Sequence, residues 1–129
     1  MHMVAEANKC ETAYKELKHK SFIQKFIERI WNESRFEELP EFLHDQFVDY
    51  SIPVKSLQNH IGLKLYLRKL SESVSHHTEI DEYSEYDDLV ICHITLKWNS
   101  GNQNGVLSGR RIFRIKEGKI LHHWECFVQ

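Results

Sequence analysis

The sequence predicts an α+β fold in which helices cover one face of an antiparallel sheet, and three observations carry that expectation. Apolar residues recur at spacings of three and four through the first part of the chain, the period of a helix with one buried stripe. From His76 onward they alternate, the period of a half-buried strand. Turn-forming residues, NSGNQNG and Lys116-Glu117-Gly118, separate the alternating runs. Helices first and strands afterwards is the order that gathers the helices on one side of a sheet.

From about Glu11 to Asn32, the residues Leu17, Phe22, Ile23, Phe26, Ile27, Ile30 and Trp31 form a broad apolar stripe, which predicts one long helix. Residues 1–10 precede it as a loosely held N-terminus. Phe36, Leu39, Phe42 and Leu43 repeat the spacing around Pro40; a proline is tolerated in a first turn, so a second, short helix is expected. FVDYSIP alternates until it meets Pro53 and reads as a short strand ending at Ile52. Ile61, Leu63, Leu65, Tyr66, Leu67, Leu70 and Val74 support a third helix from about Asn59 to Ser75. Four strands follow: the polar, edge-like HHTEIDEYSEYDD, the central LVICHITLKW, then VLSGRRIFRI and KILHHWECFV. No repeat or linker interrupts the order, so residues 1–129 read as a single domain.

Composition narrows the function classes. With 41% hydrophobic and 28% charged residues and a net charge of -2, the chain has neither the basic excess that nucleic acid requires nor an attraction for anionic lipid. No apolar run reaches a signal-peptide core or the roughly 20 residues of a membrane span. Cys10, Cys92 and Cys126 are an odd number, far apart, without the paired spacing of a zinc site or a disulfide framework. A cytoplasmic protein is expected, acting without nucleic acid, membrane, metal or organic cofactor.

Alternation then assigns faces. Val90, Cys92, Ile94, Leu96 and Trp98 share the apolar face of the central strand, which should meet the helices. In the last strand Ile120, His122, Trp124, Cys126 and Val128 fall on one side, with Leu121, His123, Glu125 and Phe127 on the other. The more apolar first set is expected to point inward. His122 and Cys126 are then roughly 13 Å apart along the strand at about 3.3 Å per residue, too far to share one ion. His123 and Glu125 could share one, but no motif supplies a third ligand. His76-His77 reads as a solvated pair at a helix-to-strand junction.

IWNESRFEELPEFLHDQFVDYS, HIGLKLYLRKL, DDLVICHITLKW and SGRRIFRIKEGKILHHWE, in this order, resemble a SnoaL-like protein of the nuclear-transport-factor-two-like superfamily. The resemblance runs from about Phe22 to Glu125. It implies a cone, a strongly bent antiparallel sheet wrapped around three helices, with a mostly apolar pocket between the concave face and the first helix. It further implies a homodimer through the outer face of the sheet. The activities it brings are polyketide ring closure, steroid isomerisation and epoxide hydrolysis, beside members that only bind ligands or partners.

The chain departs from that pattern at the acids. Steroid-isomerase-like members carry a carboxylate near the end of the first strand; the match puts Tyr50 there, with Asp49 one residue earlier and facing away unless a bulge re-aims it. The histidine and acid of polyketide-cyclase-like members align with Trp98 and Val128. The residues expected to carry chemistry are therefore His122 as acid or base and Tyr50 or Arg111 polarising an oxygen. Trp31, Trp98, Phe113, Trp124, Cys126 and Cys92 are expected to line the pocket. The expected function is the handling of a small apolar or aromatic molecule by cofactor-free proton transfer; the alternative is a non-catalytic ligand-binding or protein-interaction dimer.

Overall fold

A computed structural model describes residues 17–128. The expected N-terminal tail, Cys10 and the first part of the predicted long helix lie outside the described residues.

The first helix, α1, spans Lys20–Phe26 and continues as a π-helical turn, Ile27–Asn32. In that turn Glu33 N donates to Glu28 O at 2.9 Å, five residues back, and the wider coil lets Ile30 and Trp31, adjacent in sequence, both turn inward. The helix begins later than its apolar spacing predicts: residues 17–19 are not helical. Their backbone is held instead by Glu85, whose carboxylate accepts from Lys18 N at 2.8 Å and His19 N at 2.6 Å.

A 3₁₀ turn, Phe36–Glu38, leads into the short α2, Leu39–Phe42, with Pro40 in its first turn as expected. The strand β1 is Leu43–Asp49 and ends three residues before the predicted Ile52. The Asp49 carboxylate causes the stop, because its Oδ1 accepts from Ser51 N at 2.9 Å and folds residues 50–51 into a turn. Helix α3, His60–Ser73, starts at Asn59, whose Oδ1 accepts from Gly62 N at 3.0 Å.

The remaining strands are β2, Ser75–Tyr86, β3, Leu89–Asn99, β4, Asn104–Lys116, and β5, Lys119–Val128. Together the three helices and the curved, unclosed sheet form the expected α+β cone. The sheet order is β1-β5-β4-β3-β2. Strands β2 to β5 are an antiparallel meander, whereas β1 lies parallel to β5, so the sheet is mixed rather than wholly antiparallel. A parallel pair needs a long crossover; here α3 and the other three strands supply it. Glu117 and Gly118, at φ 53° and 76°, make the tight β4–β5 turn that favours left-handed residues.

One register break matters for everything that follows. Ile115 pairs with Ile120, but Arg114 pairs with His122, leaving Leu121 as an extra residue in β5. Such a bulge reverses the facing of every residue after it. Ile120 is fully buried, and beyond the bulge it is His123, not His122, that is buried.

Candidate functional site

The bulge at Leu121 brings charged side chains from three strands under the helices. On the inner face Arg111 lies opposite Glu125 and Phe113 opposite His123, while Asp49 of β1 lies beside His123. Arg111 is 0% exposed, Asp49 1% and His123 4%. Buried charges are tolerated only when paired, and both are. Arg111 Nη2 stands 3.5 Å from Glu125 Oε1, and His123 Nδ1 lies 3.0 Å from Asp49 Oδ1. Aromatic faces complete the packing: the Arg111 guanidinium sits 3.6 Å over the Trp31 ring, and His123 stacks on Phe113 with centroids 5.1 Å apart.

The electrostatics follow from this crowding. Burial by itself would raise the Asp49 carboxyl, but the hydrogen bond and charge of His123, then the two bonds from Ser51, outweigh it and hold the group below the usual carboxylate value. Burial weakens the hold of Arg111 on its proton, and Glu125 first, then Tyr66 and Asp49, oppose that loss. Burial, then the Glu125 charge, raises the Tyr66 phenol. The same burial pushes the Cys92 thiol up to about 12, so it behaves as an inert small hydrophobe.

Several of the buried polar atoms have no protein partner: Arg111 Nε and Nη1, Trp31 Nε1, Asp49 Oδ2, His123 Nε2 and His76 Nδ1. Those of Arg111, Trp31 and His76 belong to residues that line a cavity of about 340 Å³, which Glu125 and Tyr66 also border among apolar walls built mainly by Trp31, Trp98 and Phe127. That volume is at the small end of ligand-sized pockets, roughly 300–1,000 Å³, and an apolar wall with a few converging polar groups is the usual composition of such pockets. Asp49 and His123 lie one residue row further along the same face, packed into the core beside Phe113.

The structure divides the predicted site residues. Arg111, Trp31 and Trp98 do line the cavity. Phe113 and Cys92 face inward but are fully buried in the core, away from the cavity wall. The expected inward direction of Tyr50, His122, Trp124 and Cys126 is corrected. Tyr50 is 48% exposed and stacks on Trp124 at 5.4 Å and 11°, with His122 edge-on to both. His122 is cross-strand to Arg114, Trp124 to Ile112 and Cys126 to Arg110, all on the outer face, and Cys126 is exposed. The reason is the bulge in β5 and, in β1, the alternation of Phe47 and Asp49, which sends Tyr50 outward. The ion-pair partner of Arg111 is a strand carboxylate, Glu125.

Asp49, His123, Glu125, Tyr66 and His76 are the functional candidates that sequence reasoning missed. One signal pointed to Glu125: an arginine on the apolar face of β4 requires an inward carboxylate close by, and Glu125 is the acid of the adjoining strand at the right register. Among the described residues no cluster of His, Cys, Asp or Glu is arranged to hold a metal ion, and no helix is long and apolar enough to cross a membrane.

Comparison with known proteins places this geometry. A family model described as SnoaL-like domain matches residues 23–123. No curated protein matches the chain. Among solved structures, a protein assigned as a SnoaL-like polyketide cyclase from Jannaschia sp. CCS1 superposes with a TM-score of 0.76 at 10% identity, covering 87% of this chain and 86% of that one. TsrD from Streptomyces laurentii gives 0.72 at 16% identity over 84% and 86% of the two chains. An LEH-like epoxide hydrolase from M. tuberculosis gives 0.69 at 15% identity over 82% and 79%. At these identities the likeness establishes the shared fold.

Proposed function

The chain belongs to the SnoaL-like domain family, and on that premise we propose that it binds a small, largely apolar molecule in the cavity and moves a proton on it without a cofactor. The polyketide cyclase and epoxide hydrolase among its structural neighbours are consistent with that class. The observation that carries the reading is the Arg111–Glu125 pair at the wall of an otherwise apolar cavity, with Nε and Nη1 of the arginine free of protein partners.

Chemically, Glu125 is the base that meets the cavity. It takes a proton from a carbon next to a carbonyl; the C–H electron pair moves into the new C=C bond and the carbonyl pair onto oxygen. Arg111 then stabilises the resulting oxyanion through N–H donors that are already in position. Returning the proton from Glu125 to another carbon of the enolate completes an isomerisation; in a ring closure the enolate carbon instead attacks a second carbonyl carbon of the same molecule, and Glu125 returns its proton to the alkoxide oxygen so formed. Asp49 and His123 back this row: the Nδ1–H of His123 donates to Asp49, which orients the imidazole, and the Asp49 charge supports the cationic form of Arg111.

Exchange of a ketone's α-hydrogens tests this without knowledge of the natural substrate. With 1-tetralone in D2O followed by NMR, the protein should speed deuterium uptake at C2, and Glu125→Gln should abolish the acceleration. Neither binding nor exchange for a panel of such ketones would sink the reading.

The runner-up, a ligand-binding module without turnover, is favoured by one feature: Arg111 is capped by Trp31 and already faces Glu125. Binding with no exchange identifies it. Either reading keeps a second copy of the chain against the outer face of the sheet, supported by the half-exposed Tyr50 stacked on Trp124. Sedimentation velocity reporting a monomer at all accessible concentrations would remove that part.

A further inference from the structure

The cavity has a second polar end that the proton-transfer chemistry does not use. His76 lies on β2, cross-strand to Trp98 of β3, and both side chains line the cavity. Its ring meets Trp31 edge-on, with centroids 6.3 Å apart and planes at 68°. Its Nδ1 is buried and has no protein partner, while the walls around it, Leu70, Val74, Leu96 and Leu107, are apolar. His77, the next residue, turns to the opposite side and approaches Glu79 at 3.9 Å. The two histidines of this dipeptide therefore have different surroundings, and only His76 faces the cavity.

Resting on the reading of the cavity as a ligand site, we propose that His76 determines specificity by hydrogen-bonding a second oxygen on the ligand, at the end away from Glu125. Sheet order supports the separation: β2 and β5 are three strand spacings apart, about 14 Å between backbones. A group anchored that far from Glu125 reads the far end of a molecule rather than sharing its reacting carbon. Burial, followed by the charges of Arg111 and His77, lowers the tendency of His76 to protonate. A neutral imidazole presents one donor and one acceptor, so it takes a hydroxyl or a carbonyl and gives no preference to an anion. A small ring compound with an oxygen at each end matches both poles of the cavity, whereas a singly oxygenated one leaves Nδ1 without a partner, which is unfavourable in a buried site.

Calorimetric titration of a matched pair of ketones reads this directly. 1-Tetralone carries the carbonyl alone; 6-hydroxy-1-tetralone adds a hydroxyl at the far end. The wild-type protein should bind the hydroxylated ketone up to about tenfold more tightly, the scale of one added hydrogen bond. His76→Phe should erase that preference, bringing the affinities for the two ketones to within about twofold of each other, and His76→Gln, which keeps a donor and an acceptor, should restore part of it. Thermal melts of both variants check that the fold is retained. Equal wild-type affinity for the two ketones, or an equal loss of both on His76→Phe, overturns the proposal. If 1-tetralone binds and exchanges through Glu125 without discrimination, only the role of His76 falls; if neither ketone binds, the cavity reading falls with it.

Discussion

The two faces of β5 carry nearly the same chemistry in sequence and opposite fates in the structure. His123 and Glu125 point inward and are matched by Asp49 and Arg111 from the neighbouring strands. His122 and Trp124 point outward and pack against each other and Tyr50. The more polar pair is the more buried one. A polar residue can occupy the inside of a sheet when strands remote in sequence bring its counterpart, and aromatic residues can occupy the outside when they cover one another.

The most direct way to break this contrast is to shift β5 by one residue beyond the bulge. Inserting an alanine between His123 and Trp124 would put Trp124 opposite Arg111 on the inner face, turn Glu125 outward and strand that arginine without its carboxylate. The expected outcome is loss of cooperative unfolding in a thermal or urea melt monitored by circular dichroism. A melt like that of the wild type would show that the register does not set the facing.

Next in size is the inner ion pair. Glu125→Leu alone leaves a fully buried cation, and denaturant titration should show a loss of about 3–5 kcal/mol. The double variant Arg111→Met/Glu125→Leu should recover most of that stability, because an apolar pair of similar volume removes both desolvation penalties. The recovery sharpens the comparison, since no equivalent rescue exists on the outer face.

Asp49→Asn should cost less, about 1–3 kcal/mol, because the amide still accepts from Ser51 and His123 while the charge is lost. Acid titration of the wild type gives a related outcome. His76 and His122 are both held below the usual 6.5, the first by burial, Arg111 and His77 and the second by burial and Arg114. The unfolded chain therefore takes up protons that the folded chain resists, and stability falls as the pH drops below 6.5 through their depressed folded values. Asp49, lowered from 3.8, contributes stability that is present above that pH and lost as the pH falls through its own lower value. Midpoints of thermal unfolding between pH 8 and pH 3 should decline in two stages.

The smallest effect belongs to the outer face. Tyr50→Ala removes one half-exposed ring from a stack and should cost about 0.5–1.5 kcal/mol, measured in the monomer by the same denaturant titration. A loss as large as that of Glu125→Leu would mean that the outer aromatics, not the inner charges, hold β5 in place.

Much of this molecule was readable before any coordinates. The apolar alternation of Val90, Cys92, Ile94, Leu96 and Trp98 assigned the inner face of β3 correctly, and Arg111, expected at the site, is buried there. The helix spacing located Trp31 on the buried stripe that roofs the cavity. The strand ending at Asp49 and the bulge at Leu121 were not readable. In β5 the choice between faces was made on hydrophobicity, which favoured Trp124 and Cys126; the burial of Glu125 depends on Arg111, fourteen residues away in sequence and adjacent only through strand pairing.

By its own periodicities, then, the chain determined the order of helices and strands and the inner face of β3, each of which depends on neighbours within a few positions, while its local strings carried the family resemblance. Tertiary pairing alone decided that β1 lies parallel to β5, that Asp49 meets His123, and that Glu125 meets Arg111. The physical reason is that a buried charge is stabilised by its partner rather than by its own strand. Its direction is settled only when strands distant in sequence come into register.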